Sequence, residues 1–145
     1  MKALVHERYG SPDVLELRDV EQPEVTDDGV LVRVRAASVN PTDWYGMTGR
    51  PFIARPTQGL RKPKSPLLGV DFAGVVEAVG KDVAGLDPGD EVFGGRSGSL
   101  AELVNVKNAV ARKPANLSFE QAAAIPVAAT TALQGLRDHG RLQPG

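Results

Sequence analysis

Residues 30–36, Val30-Leu31-Val32-Arg33-Val34-Arg35-Ala36, alternate in polarity with a period of two. A strand sends successive side chains to opposite faces, so Val30, Val32, Val34 and Ala36 share one face and Leu31, Arg33 and Arg35 the other. One buried and one wetted face is the pattern of an antiparallel sheet and speaks against a helical bundle. Turn residues punctuate the whole chain: 16 Gly and 11 Pro in 145 residues, against average usage of about 12% for the two together. Further strands are expected at Lys2–Glu7 and Val14–Val20, joined by the Tyr9–Asp13 turn. Others are expected at Val70–Gly80, at Glu91–Phe93 after the Asp87–Asp90 turn, and at Leu100–Val106 and Ala109–Lys113. Short strands at regular spacing define a mainly β fold, a barrel or sandwich.

Helices are few. Pro41 opens a short one, Ser118-Phe119-Glu120-Gln121 is a capping box, and a last helix runs from about Pro126 to Asp138, stopping at Gly140. Between Gly49 and Pro66 lies a loop carrying Arg50, Arg55, Arg61, Lys62 and Lys64 and no acidic residue. Its length suits a lid. Its charge suits an anionic group such as a cofactor 2′-phosphate, and its plainest reading is a solvated, flexible loop. Gln143-Pro144-Gly145 is turn chemistry, read as a chain cut just before a strand.

With 17 basic and 18 acidic residues the chain lacks the footprint of a nucleic-acid binder. Having no cysteine, it has no disulfide, no thiolate nucleophile and no Cys-ligated zinc. His6 and His139 lie far apart and are expected to face solvent. The charge-free stretch Gln121–Leu136 is too short and polar to span a bilayer, and the first residues do not read as a signal peptide, so a soluble, cytoplasmic protein without a membrane partner is expected. No two glycines are separated by one residue, so G-x-G-x-x-G is absent, as are G-x-x-x-x-G-K-[ST] and H-E-x-x-H. Gly94-Gly95-Arg96-Ser97-Gly98 has the wrong spacing for a nucleophile elbow.

Two segments remain: Ala37-Ser38-Val39-Asn40-Pro41-Thr42-Asp43-Trp44-Tyr45, and Leu68-Gly69-Val70-Asp71-Phe72-Ala73-Gly74-Val75-Val76 continuing to Gly80. Together with Gly89–Phe93, Lys113–Leu117, Ala122–Pro126 and Thr131–Gln134, they resemble the medium-chain dehydrogenase/reductase superfamily over the whole chain, in order. Within it, the chain resembles the zinc-independent branch of quinone oxidoreductases and enone reductases. The resemblance implies a GroES-like, partly open β-barrel over residues 1–125. It also implies a junction helix and turn, 126–145, leading to a Rossmann domain that binds NADPH or NADH. A homodimer is implied for the full-length protein. Zinc-dependent relatives carry Cys where Asn40 stands and His-Glu where Val70-Asp71 stands. Neither Asn nor Val is a usual zinc ligand, so no metal is expected.

The resemblance also assigns roles. Asn40 bonds the nicotinamide or the substrate carbonyl, or caps the helix at Pro41. Trp44 and Tyr45 wall the substrate pocket, with the Tyr45 hydroxyl offered to the acceptor oxygen. Asp43 either anchors a hydrogen-bond network or simply favours the first helical turn. Thr42 stands where zinc-dependent relatives keep a relay hydroxyl and many quinone reductases an aliphatic side chain. Thr131 approaches the nicotinamide, or is an ordinary helix threonine. Asp71 is expected to be structural. The implied activity is hydride transfer to quinones or conjugated enones, with the isolated fragment inactive. An alcohol dehydrogenase-like or enoyl reductase activity on the same fold, or a stand-alone binding or assembly barrel, are the alternatives.

Overall fold

The computed structural model describes residues 1–143, so the expected Pro144-Gly145 turn lies outside the described residues. In chain order the elements are β1 (Lys2–Val5), β2 (Glu16–Asp19), β3 (Val30–Ser38), α1 (Pro41–Thr48) and α2 (Arg55–Gln58). There follow β4 (Asp71–Val79), β5 (Glu91–Gly95), β6 (Leu103–Val106), β7 (Val110–Arg112), α3 (Phe119–Ala123) and α4 (Pro126–Leu133).

The alternating strand is the second of five in an antiparallel sheet ordered β6-β3-β4-β5-β7, while β1 and β2 form a separate pair. The two sheets are stitched by residues 100–102. Leu4 N donates to Leu100 O at 2.8 Å, Glu102 N to Lys2 O at 3.0 Å, and Val34 N to Glu102 O at 3.0 Å. The result is the expected partly open barrel. Its interior holds Val30, Val32, Phe72, Val76, Val92 and Val104. Burying each such side chain contributes about 1.5–3 kcal/mol relative to exposure.

Pairing of β3 with β4 shifts register between Leu31 and Val32 and again between Val34 and Ala36. Such irregularities re-aim side chains. Leu31, expected on the wet face, is buried, whereas Arg33 stays outside and pairs with Glu77 at 2.7 Å. Gly74 sits opposite Val34, where a Cβ would collide with the Arg33 carbonyl.

Other expectations need correcting. The strand at Val14–Val20 contracts to β2 because Pro12–Val14 forms a 3₁₀ turn. The 49–66 loop contains a 3₁₀ turn at Phe52–Ala54 and α2, and it is pinned. Arg55 stacks between the Tyr9 and Phe52 rings, 4.6 Å from each centroid. Its Nε donates to Gly49 O at 3.0 Å, and Tyr9 Oη donates to Gly59 O at 2.7 Å. The last helix is α-helical only to Leu133 and continues as a π-helical turn over Gln134–His139. The capping box at Ser118 forms: Gln121 N donates to Ser118 Oγ at 3.2 Å and Ser118 N to Gln121 Oε1 at 3.0 Å. It seats Ala122 and Ala123 against Ala73. Among the described residues no helix is long and apolar enough to cross a membrane.

Candidate active site at the junction of β3, β4 and α4

Strand β3 ends at Ser38, and two residues later Asn40 starts α1 with Pro41 in the first turn, where its missing N–H costs nothing. Asp43 reaches back, its Oδ2 accepting the Asn40 N–H at 2.7 Å. The Asn40 side chain faces the Asp43 N–H without bonding it, since that N–H goes to Asn40 main-chain O at 2.9 Å. Instead Asn40 Nδ2 donates to Asp71 Oδ2 at 3.2 Å and to Ser38 Oγ at 3.3 Å.

Asp71, at the start of β4, is fully buried. Its Oδ2 takes three donors: Asn40 Nδ2, Ser38 Oγ at 3.4 Å and the Val127 N–H at 3.1 Å. One carboxylate oxygen thus ties the end of β3 to the first turn of α4. The other, Oδ1, is buried without a partner among the described residues. Asp71, expected to be structural, also accepts from the candidate site residue Asn40, a contact across 31 residues that leaves no local signal in the sequence.

Asp43 is buried, and that burial pushes its carboxyl above the usual aspartate range, with the nearby Asp71 charge acting in the same direction. The Asn40 and Gly69 N–H groups oppose the rise. Asp43 thus sits in the first turn of α1, where its carboxyl takes the Asn40 main-chain N–H. Trp44 and Tyr45 are half exposed. Trp44 borders an apolar hollow of ≈ 200 Å³ with Val39, Met47 and Leu68. Thr42 is exposed at the rim of a second cavity of ≈ 270 Å³, lined also by His6, Tyr9, Asp43, Lys64 and Ser65.

His6 corrects an expectation. It is 3% exposed, not solvent-facing, because β1 carries it inward where its main-chain N–H bonds Pro66 O at 2.8 Å. Burial lowers its pKa from 6.5, opposed by a hydrogen bond with the Arg8 backbone, and Nδ1 has no partner among the described residues. His139 is exposed. The site residues therefore divide. Asn40 and Asp43 are brought together with Asp71; Thr42, Trp44 and Tyr45 follow on α1; Thr131 lies one helical turn past Val127 on exposed α4, with no hydrogen bond to the cluster.

Among the described residues, no group of three His, Asp or Glu is placed to hold a metal.

Comparison with known proteins agrees with this architecture. Residues 26–115 match the alcohol dehydrogenase GroES-like domain family, and the chain belongs to it. Its relatives are quinone and enone oxidoreductases of the medium-chain dehydrogenase/reductase superfamily. One is the 2-methylene-furan-3-one reductase of Solanum lycopersicum, 41% identical over 97% of this chain and 38% of that protein. Another is the chloroplastic NADPH-dependent alkenal/one oxidoreductase of Arabidopsis thaliana, 40% identical over 94% of this chain and 37% of that protein. Among solved structures, the quinone oxidoreductase of Coxiella burnetii superposes with a TM-score of 0.88 at 35% identity, covering 100% of this chain and 46% of that one. The chain thus spans about two-fifths of the length of the curated relatives it matches.

Proposed function

We propose that this chain is the substrate-side domain of a zinc-independent, NADPH-dependent oxidoreductase that reduces quinones or conjugated enones. The observation that carries the reading is the Asn40–Asp71 cluster, an amide bonded to a buried carboxylate at positions where the resemblance sets metal ligands in zinc-dependent relatives, at the start of the helix that carries Tyr45. Quinones and enones spread developing charge over a π system and so need less help at the oxygen than an isolated ketone. NADPH, when bound, supplies the hydride. The chain's own residues orient and exclude: Tyr45 offers its hydroxyl to the acceptor oxygen, and Trp44 walls the pocket. Asn40 and Thr131 are the candidate contacts to the nicotinamide.

In this reading the pyrophosphate is held by a nucleotide-binding domain outside the chain, in keeping with the absence of G-x-G-x-x-G from it. Residues 128–133 of α4 are exposed, as expected of a junction helix on which such a domain packs. A cytoplasmic setting, a homodimeric full-length enzyme and small-molecule partners alone belong to the same proposal.

The test is NADPH oxidation by the full-length polypeptide carrying this chain, with a quinone, an enone and a simple alcohol–ketone pair as arms. Turnover with the first two and not the third is expected. Tyr45→Phe should lower kcat/KM by about tenfold, the worth of one ordinary hydrogen bond to the acceptor oxygen. Turnover indifferent to Asn40→Ala and Tyr45→Phe would remove the site assignment.

A further inference from the structure

Asn40 has an amide that can donate from one end and accept at the other, and its neighbours decide which end faces outward. Asp71 Oδ2 takes the Val127 main-chain N–H at 3.1 Å, so that oxygen is an acceptor. The Asn40 atom 3.2 Å from it must then be nitrogen, because two facing acceptors would repel. The second amide hydrogen goes to Ser38 Oγ at 3.3 Å, whose own hydroxyl proton points to Asp71 at 3.4 Å. Both amide hydrogens are therefore spent inside the protein. Among the described residues the Asn40 carbonyl oxygen faces one donor, the Asp43 N–H in the capping-box position, and that N–H is already satisfied by the Asn40 main chain at 2.9 Å.

From this geometry we infer that Asp71 is a positioning residue that commits Asn40 to act as a hydrogen-bond acceptor. Its partner is then a donor, and the carboxamide NH2 of the nicotinamide ring is the donor that the proposed reaction brings. The acceptor oxygen of a quinone or enone, which itself needs a donor, is left to Tyr45. The inference rests on the proposed function for the identity of the donor, and on the structure alone for the direction of the amide. It also gives a purpose to the fully buried Asp71, whose Oδ2 holds the same α4 turn from which Thr131 follows.

The test compares the dissociation constant of NADPH with that of its 3-acetylpyridine analogue, which keeps the ring carbonyl and lacks the carboxamide NH2. Binding is read by fluorescence on the full-length polypeptide. The wild type should bind the analogue at least about tenfold more weakly, the consequence of leaving a sheltered acceptor unpaired. Asp71→Ala should bring the two constants within about threefold, because the freed amide can turn either end outward. Should that variant not fold, Asp71→Leu, which fills the space and removes the acceptor, must still shrink the ratio, whereas Asp71→Asn, whose amide oxygen can still take the Val127 and Asn40 donors, should keep it. Equal binding of the two cofactors by the wild type, or an unchanged ratio in the folded Asp71→Ala or Asp71→Leu variant, overturns the inference.

A second readout does not need the cofactor. In protein labelled with ¹⁵N-asparagine, the Asn40 side-chain protons should exchange slowly with water and become faster in the Asp71 variant. Rapid exchange in the wild type contradicts the hydrogen-bond direction. The two levels fail separately: quinone turnover without cofactor discrimination defeats the inference alone, whereas slow amide exchange without NADPH binding defeats the functional reading alone.

Discussion

His6 and Asp43 line one cavity yet respond to pH in opposite senses. Burial lowers the pKa of His6 from 6.5 in the folded chain, so the unfolded chain binds the proton more readily. Stability is then fully present above 6.5 and lost as pH falls through the lowered folded value. Asp43 has its pKa raised above 3.8, so its contribution favours folding at pH below 3.8 and is lost as pH rises through the raised value. Denaturant melts of wild type and His6→Leu across this range should show the His6-dependent slope only in the wild type. Parallel curves would mean that His6 is hydrated. The burial of His6 was not legible in the sequence: the charged neighbours Glu7 and Arg8 suggest the surface, but both do lie outside while His6, one residue earlier, turns inward. The pairing of Asn40 with Asp43 was legible because they lie three positions apart on one helical turn. Their link to Asp71 was not.

At the scale of elements, the 49–66 strap shows how a composition of cations and prolines hides order. Five positive charges with no acid suggested a flexible loop, yet the guanidinium of Arg55 between two rings supplies what apolar burial does not. Cation–π contacts of this kind contribute about 0.5–2 kcal/mol. Arg55→Ala should therefore accelerate amide hydrogen exchange across the strap while leaving β3 and β4 protected. Uniform protection in the variant would show that Tyr9 and Gly59 suffice. The strands themselves were legible from alternation and turn residues, although their ends moved. Pro12 tightened the start of β2, and the irregular β3–β4 register buried Leu31. That same pair leaves no room beside Gly74. Gly74→Ala should destabilise the barrel by roughly 1–3 kcal/mol, the usual cost of overpacking, read as a fall in the denaturation midpoint.

At the scale of the molecule, a curled sheet presents the ends of β3 and β4 to α4, and one buried carboxylate joins all three. The barrel and α4 are thus tied at the residue that also accepts from the Asn40 amide. This coupling was beyond the sequence, because it depends on which strands become neighbours. The fold class and the family were within reach, because the motifs at Asn40 and Asp71 keep their order and spacing. The central claim is reduction of a conjugated acceptor at this cluster without a metal. Its most direct test is NADPH oxidation with a quinone by the full-length polypeptide, before and after exhaustive chelation, with zinc content measured alongside. The account expects undiminished turnover and substoichiometric zinc; activity that disappears on chelation and returns with added zinc would contradict it.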